Sequence, residues 1–219
     1  MKDLREDLAA YGRLIVEQNL VTAGGGNISA CCDGKMLISP SGLSLGDVMP
    51  EEFVEIDVGS GEIAAGALRP SSELLMHLIC YRKRPDIRAL IHTHAQFTIA
   101  LTSSGRDLEP MTADAVVYLG RRIPHLEYIT VTTPELADAV GALIGEANCI
   151  ILRNHGAITV GGNLKEAYWR AGMVEESAHI QTFATLLGVP RFLTAEEAVR
   201  LESLGSEKYR RELLARAKA

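Results

Sequence analysis

The stretch RALIHTHAQ, Arg88 to Gln96, restricts the fold more than any other segment. Its apolar run fits a strand, and alternate side chains of a strand share a face, so His92 and His94 point the same way. Two imidazoles side by side gain little from packing, and two imidazolium charges repel. A cation between them removes the conflict, because neutral imidazole is a common metal ligand. The question is then whether the chain supplies a third and a fourth ligand.

The neighbouring segments supply elements to build on. Residues 2 to about 19 read as an amphipathic helix, with Leu4, Leu8, Tyr11, Ile15 and Val16 near helical spacing. Gly24, Gly25 and Gly26 open a loop; KMLISP and FVEID are strand-like, and GSGEI marks a hairpin turn. SSELLMHLICYRKRP reads as a helix capped by Ser71 or Ser72 and stopped by Pro85. TPELADAVGALIGEA is a helix with Thr133 as cap and Pro134 at its first position. CIILRNHGAITVGG fits a buried strand, a tight bend and a return strand. From Leu164 to Leu187 a long helix puts Leu164, Ala167, Tyr168, Ala171, Val174 and Ala178 on one stripe, and a charged helical tail from Ala195 closes the chain. Strands alternate with helices and hairpin-like pairs occur too, which predicts an α/β protein with a mixed sheet covered by helices.

Bulk properties narrow the function class. With 219 residues, 47% hydrophobic and no composition break, one domain over 1–219 is expected. A net charge of −6 argues against a nucleic-acid partner or a polybasic membrane surface. The N-terminal residues carry charges throughout and show no apolar signal region, and no apolar run approaches the roughly 18 residues of a membrane span. Cys31, Cys32, Cys80 and Cys149 lack a C-x-x-C spacing and read as reduced thiols, mostly core filler, in a cytoplasmic protein.

The further ligands come from the other histidines and carboxylates. His155, in LRNHGAITVGG, follows an apolar strand and precedes Gly156, where the backbone can approach a bound group. A loop histidine bonded to backbone is its plainer account. Glu73, in PSSELLMH, stands where a helix dipole favours a carboxylate. Ser71, Ser72 and the free N–H groups there also make an anion site with Glu73 at its edge. His77 shares the helical face of Glu73 and offers an alternative Glu–His pair, but its apolar neighbours favour a buried structural role. His125 and His179 read as structural. TAGGGNIS, SPSG and PSSE are three short loops whose glycines, serines and amides can approach a phosphate closely.

Taken in order, GGGNIS, ISPSG, PSSE, KRPDIRALIHTH and NHGAITVG resemble the class II aldolase and adducin-head family, most of all its small sugar-phosphate aldolases of the fuculose-phosphate type. The resemblance covers nearly the whole chain. It implies a central, largely antiparallel sheet flanked by helices in three layers. It also implies a homotetramer with active sites between subunits. The family's metal ligands fall on Glu73, His92, His94 and His155, with zinc the usual ion and Mn2+, Co2+ or Fe2+ also suited. Its phosphate-binding positions fall on Gly26 and Asn27, Ser41 and Gly42, and Ser71 and Ser72. The implied reaction cleaves a ketose 1-phosphate to dihydroxyacetone phosphate and an aldehyde, the metal stabilising the enediolate, with Glu73 as proton shuttle.

The match departs in one region. LEPMTADAVVYLG sets Asp114 where the aldolases carry a mid-chain tyrosine proton donor, and Asp114 is similar to an acid/base aspartate of the ribulose-phosphate 4-epimerases. Tyr118 is close by, and Tyr209 stands for the family's C-terminal tyrosine. Glu73, where epimerases carry aspartate, and the short helix between Thr133 and Cys149 favour the aldolase. The alternatives are a 4-epimerase, a sugar-phosphate dehydratase or decarboxylase, and a non-catalytic adducin-head-like binding module. Retention of all four ligands speaks against the last.

Overall fold

The computed structural model describes residues 2–65 and 68–216. In chain order the elements are α1 (Lys2–Glu17), β1 (Asn27–Cys32), β2 (Lys35–Ile38), β3 (Val54–Asp57), α2 (Leu74–Lys83), β4 (Ala89–Thr93), α3 (Gln96–Ser103), α4 (Ala113–Leu119), β5 (His125–Leu126), α5 (Pro134–Leu143), β6 (Cys149–Leu152), β7 (Gly156–Gly161), α6 (Leu164–Leu187), α7 (Ala195–Ser203) and α8 (Gly205–Arg216). The strands form one seven-stranded sheet in the order β3-β2-β1-β4-β7-β6-β5. Every pairing is antiparallel except β5 with β6. The implied antiparallel sheet is therefore the observed one, with a single parallel edge.

Period-two alternation builds the layers. Ile28 and Ala30 of β1, with Ala89 and Ile91 of β4, pack against Leu8 and Ile15 of α1 and Ala167 and Ala171 of α6. Leu90 of β4, with Ile158 and Val160 of β7, faces the other way, onto Met76 and Cys80 of α2 and Val140 of α5. Helices thus cover both faces of the sheet, and the strand residues between them are almost wholly buried. In α6 the predicted stripe is the buried one: Leu164, Ala167, Tyr168, Ala171, Val174 and Ala178 all lie inside. No helix among the described residues is long and apolar enough to cross a membrane.

Several boundaries differ from expectation. The charged tail is two helices, α7 and α8, separated at Leu204, and positions 217–219 lie outside the described residues. Helix α2 starts at Leu74 with Glu73 as its cap residue, so Ser71 and Ser72 precede the cap; the Ser71 hydroxyl accepts from the Glu73 N–H at 3.3 Å. The expected Thr133 cap is present, its hydroxyl accepting from the Leu136 N–H. Two short helices, α3 and α4, and the two-residue strand β5 fill a stretch for which periodicity offers no element.

Candidate metal and sugar-phosphate site

One end of the sheet gathers the site. Asn27, first residue of β1, lies directly opposite His92 of β4, so both project on the α2 face. His94 follows two residues on, its N–H donating to the Leu20 carbonyl at 3.0 Å. His155 ends the three-residue bend between β6 and β7, after Asn154 in the left-handed region at φ 58°. Arg153 pins that bend. Its guanidinium donates to the Thr102 carbonyl at 2.8 Å, pairs with Asp107 and sits 2.9 Å from Glu127. Gly156 explains the close approach of β7 to β4, because a Cβ there would collide with the Thr93 carbonyl oxygen.

The four expected ligands meet. One ligand atom from each of Glu73, His92, His94 and His155 lies within 4.8 Å of the others. His92 Nε2 is 2.9 Å from His94 Nε2, 3.1 Å from His155 Nε2 and 3.1 Å from Glu73 Oε2. His155 Nε2 is 3.4 Å from Glu73 Oε1. His92 Nδ1, 3.0 Å from the Ala157 carbonyl, must carry that ring's proton, which leaves the inward Nε2 a bare lone pair. Glu73 Oε1 is buried and has no hydrogen-bond donor. Donors placed 2.0–2.1 Å from a tetrahedral zinc lie about 3.3 Å apart, close to the spacings here. The residues fit a divalent metal.

Electrostatics agree with that donor set. Burial works to raise the Glu73 pKa, but His92 and His155 beside it and the Asn27 N–H outweigh burial and hold the carboxyl well below the usual carboxylate range. Burial, with His92 adjacent, pushes His94 and His155 each down to about 4, so both stay neutral and able to ligate. His77 is no part of the cluster. It is fully buried, hydrogen-bonded at both nitrogens, and pushed by burial down to about 3. His179 stacks on Phe97 with centroids 4.0 Å apart, and His125 accepts from the Leu108 N–H at 2.9 Å, so both are structural.

A cavity of about 250 Å³ opens beside the cluster, lined by Gly24, Gly25, Gly26 and Asn27, by Pro40, Ser41 and Gly42, by Ser71, Ser72 and Glu73, and by His94 and His155. Two of these loops are tied together: the Ser41 N–H donates to the Arg69 carbonyl and the Ser71 N–H to the Ser39 carbonyl. Gly26 sits at φ 70°, and a Cβ there would press on Val21 and come within 2.7 Å of the His92 carbonyl oxygen. The Asn27 amide donates to Glu73 Oε2 at 2.8 Å. Val131 and Thr132 complete the lining and left no signal in the sequence; in the structure Thr132 stands out at φ 67°. Asp114 and Tyr209 do not line this cavity. Asp114, exposed on α4, pairs with Arg210 of α8 at 2.9 Å, and Tyr209 is 59% exposed. A larger cavity, about 520 Å³ between α4 and α7, has arginines and glutamates in its lining but no converging ligand set.

Comparisons with known proteins point to one family. Residues 6–182 match the family described as Class II Aldolase and Adducin N-terminal domain. A 5-deoxy-D-ribulose 1-phosphate aldolase of Bacillus thuringiensis serovar kurstaki is 37% identical over 199 residues, 90% of this chain and 92% of that protein. A 3-oxo-tetronate 4-phosphate decarboxylase of Haemophilus influenzae is 32% identical over 216 residues, 94% of this chain and 100% of that protein. Among solved structures, an L-fuculose 1-phosphate aldolase matches with a TM-score of 0.86 at 31% identity, covering 95% of this chain and 96% of that one.

Proposed function

The chain belongs to the class II aldolase and adducin N-terminal domain family, and from that premise we propose that it is a metal-dependent aldolase cleaving a ketose 1-phosphate to dihydroxyacetone phosphate and an aldehyde. The observation that carries this reading is the convergence of Glu73, His92, His94 and His155, three of which (Glu73, His94 and His155) line a cavity walled by three glycine- and serine-containing loops. A divalent cation on those four residues, zinc by the donor set, supplies a Lewis acid that offsets charge on the substrate carbonyl oxygen as the carbon–carbon bond breaks.

The chain's own residues do the rest. Gly26, Asn27, Ser41, Gly42, Ser71 and Ser72 present backbone and hydroxyl donors that fix the substrate phosphate, and hence the register of the scissile bond. Glu73 Oε1, without a donor, is the oxygen free to exchange a proton with the substrate carbon, while Oε2 is held by Asn27. Asp114 and Tyr209 reach a site only if a neighbouring copy carries them there. The proposal therefore includes a homotetramer with sites between subunits, each subunit one cytoplasmic domain.

A second reading, a sugar-phosphate decarboxylase or 4-epimerase, uses the same charge stabilisation and is favoured by the Haemophilus relative and by Asp114. Zinc-reconstituted enzyme assayed on L-fuculose 1-phosphate, 5-deoxy-D-ribulose 1-phosphate, L-ribulose 5-phosphate and a 3-oxo-tetronate 4-phosphate separates the two. Chelator-sensitive release of dihydroxyacetone phosphate from a 1-phosphate supports the aldolase. Conversion of the 5-phosphate to xylulose 5-phosphate, or carbon dioxide release from the 3-oxo acid, without release from any 1-phosphate, would overturn it.

A further inference from the structure

From Glu73 a buried ladder of polar side chains runs away from the metal site, and three of its members, His77, Ser29 and Tyr81, have no part in the proposed reaction. Glu73, the cap residue of α2, and His77 and Tyr81 within it lie four residues apart along most of the helix, and Asn27 and Ser29 lie two apart on β1. Four helical residues rise about 6 Å and two strand residues about 6.8 Å, so the two sets interleave. Contacts alternate accordingly. Tyr81 Oη is 2.8 Å from Ser29 Oγ, and Ser29 Oγ is 2.6 Å from His77 Nδ1. His77 Nε2 is 2.5 Å from Asn27 Oδ1, and Asn27 Nδ2 is 2.8 Å from Glu73 Oε2. None of the five is more than 7% exposed.

We propose that this ladder is a one-way hydrogen-bond chain in which His77, fixed as its Nε2–H tautomer, is a positioning residue that holds Glu73 Oε2 toward the metal through Asn27. The direction follows from the charge at one end. An ionised carboxylate only accepts, so the Asn27 NH2 must face Glu73 and its carbonyl oxygen must face His77. The opposite amide orientation would set two acceptors 2.8 Å apart in a dry interior. His77 Nε2 must then donate, and its bare Nδ1 accepts from the Ser29 hydroxyl. Ser29, its proton spent, accepts from Tyr81. Each side chain's proton placement leaves its neighbour one consistent choice, and every link points at Glu73.

Groups that orient a ligand commonly change metal affinity about 10–100-fold when removed. The inference rests on Glu73 being a metal ligand, and the experiment keeps the two apart. Long-range 15N–1H correlation spectra of the full chain, with and without zinc, read the His77 tautomer directly, and zinc titration reads affinity in wild type, His77→Leu and His77→Gln. A protonated Nε2 with bare Nδ1, about 10–100-fold weaker zinc binding in His77→Leu, and recovery in His77→Gln, which keeps an N–H for Asn27, support the chain. A protonated Nδ1, or a folded His77→Leu that binds zinc as tightly as wild type, overturns it. If His77→Leu does not fold, the wild-type tautomer decides. Wild type that binds no zinc refutes the ligand reading instead, whatever tautomer His77 shows.

Discussion

At the scale of single residues, the site rests on a division of labour within one carboxylate. Glu73 turns one oxygen to Asn27 and leaves the other without a donor. Glu73→Gln keeps the shape but removes the charge and the proposed proton acceptor. Turnover with zinc is expected to fall at least about 100-fold, the usual scale of general acid–base help; steady-state rates on metal-loaded enzyme check this, and unchanged turnover would remove Glu73 from proton transfer. His94→Ala takes away one ligand while leaving the sheet intact, so zinc content and activity should be lost. The thermal midpoint of this variant should stay within a few degrees of metal-stripped wild type. The histidines were legible because His92 and His94 sit at strand spacing and His155 adjoins a glycine. The grip of Asn27 on Glu73 was not, because 46 residues separate the partners and only the folded sheet brings them together.

Among the elements, legibility tracked where each one finds its caps and its apolar stripe. Helix α6 and the cap at Thr133 are local and were legible in the chain; the caps at Asn163 and Thr194 are equally local but were not read from it. Helix α3 has no side-chain cap in its own sequence. Its first N–H groups, on Phe97 and Thr98, instead donate to the Glu175 carboxylate of α6 at 2.8 and 2.9 Å. A cap borrowed from 77 residues away leaves no local trace, which is why α3 escaped the sequence reading. Glu175→Ala should then cost about 1–3 kcal/mol, since it strands two helix N–H donors and the Thr98 hydroxyl. Denaturant melts measure it, and a loss under a few tenths would show that water replaces the cap. Gly156→Ala presses a methyl into the Thr93 carbonyl across the β4–β7 pair, and about 1–3 kcal/mol or more of destabilisation is expected from the same melts.

For the whole molecule, fold and metal are linked through mass action. The ligands come from the start of α2, the end of β4 and the β6–β7 bend, elements that meet only in the native sheet. An ion bound there and not to the unfolded chain stabilises by about 2.7 kcal/mol at one hundred times its dissociation constant. Thermal melts with and without a chelator should therefore differ by several degrees, and identical melts would contradict a built site. The mixed sheet expected from alternating elements turned out antiparallel but for β5 with β6, as the resemblance implied. Periodicity alone does not encode strand direction, because an apolar strand buried on both faces looks the same in either sense. The measurement that bears most directly on the account is anomalous X-ray diffraction from zinc-loaded crystals. It should show one peak about 2.0–2.2 Å from Nε2 of His92, His94 and His155 and from the Glu73 carboxylate. Zinc-loaded crystals without a peak among these four side chains would contradict the metal centre on which the proposed chemistry depends.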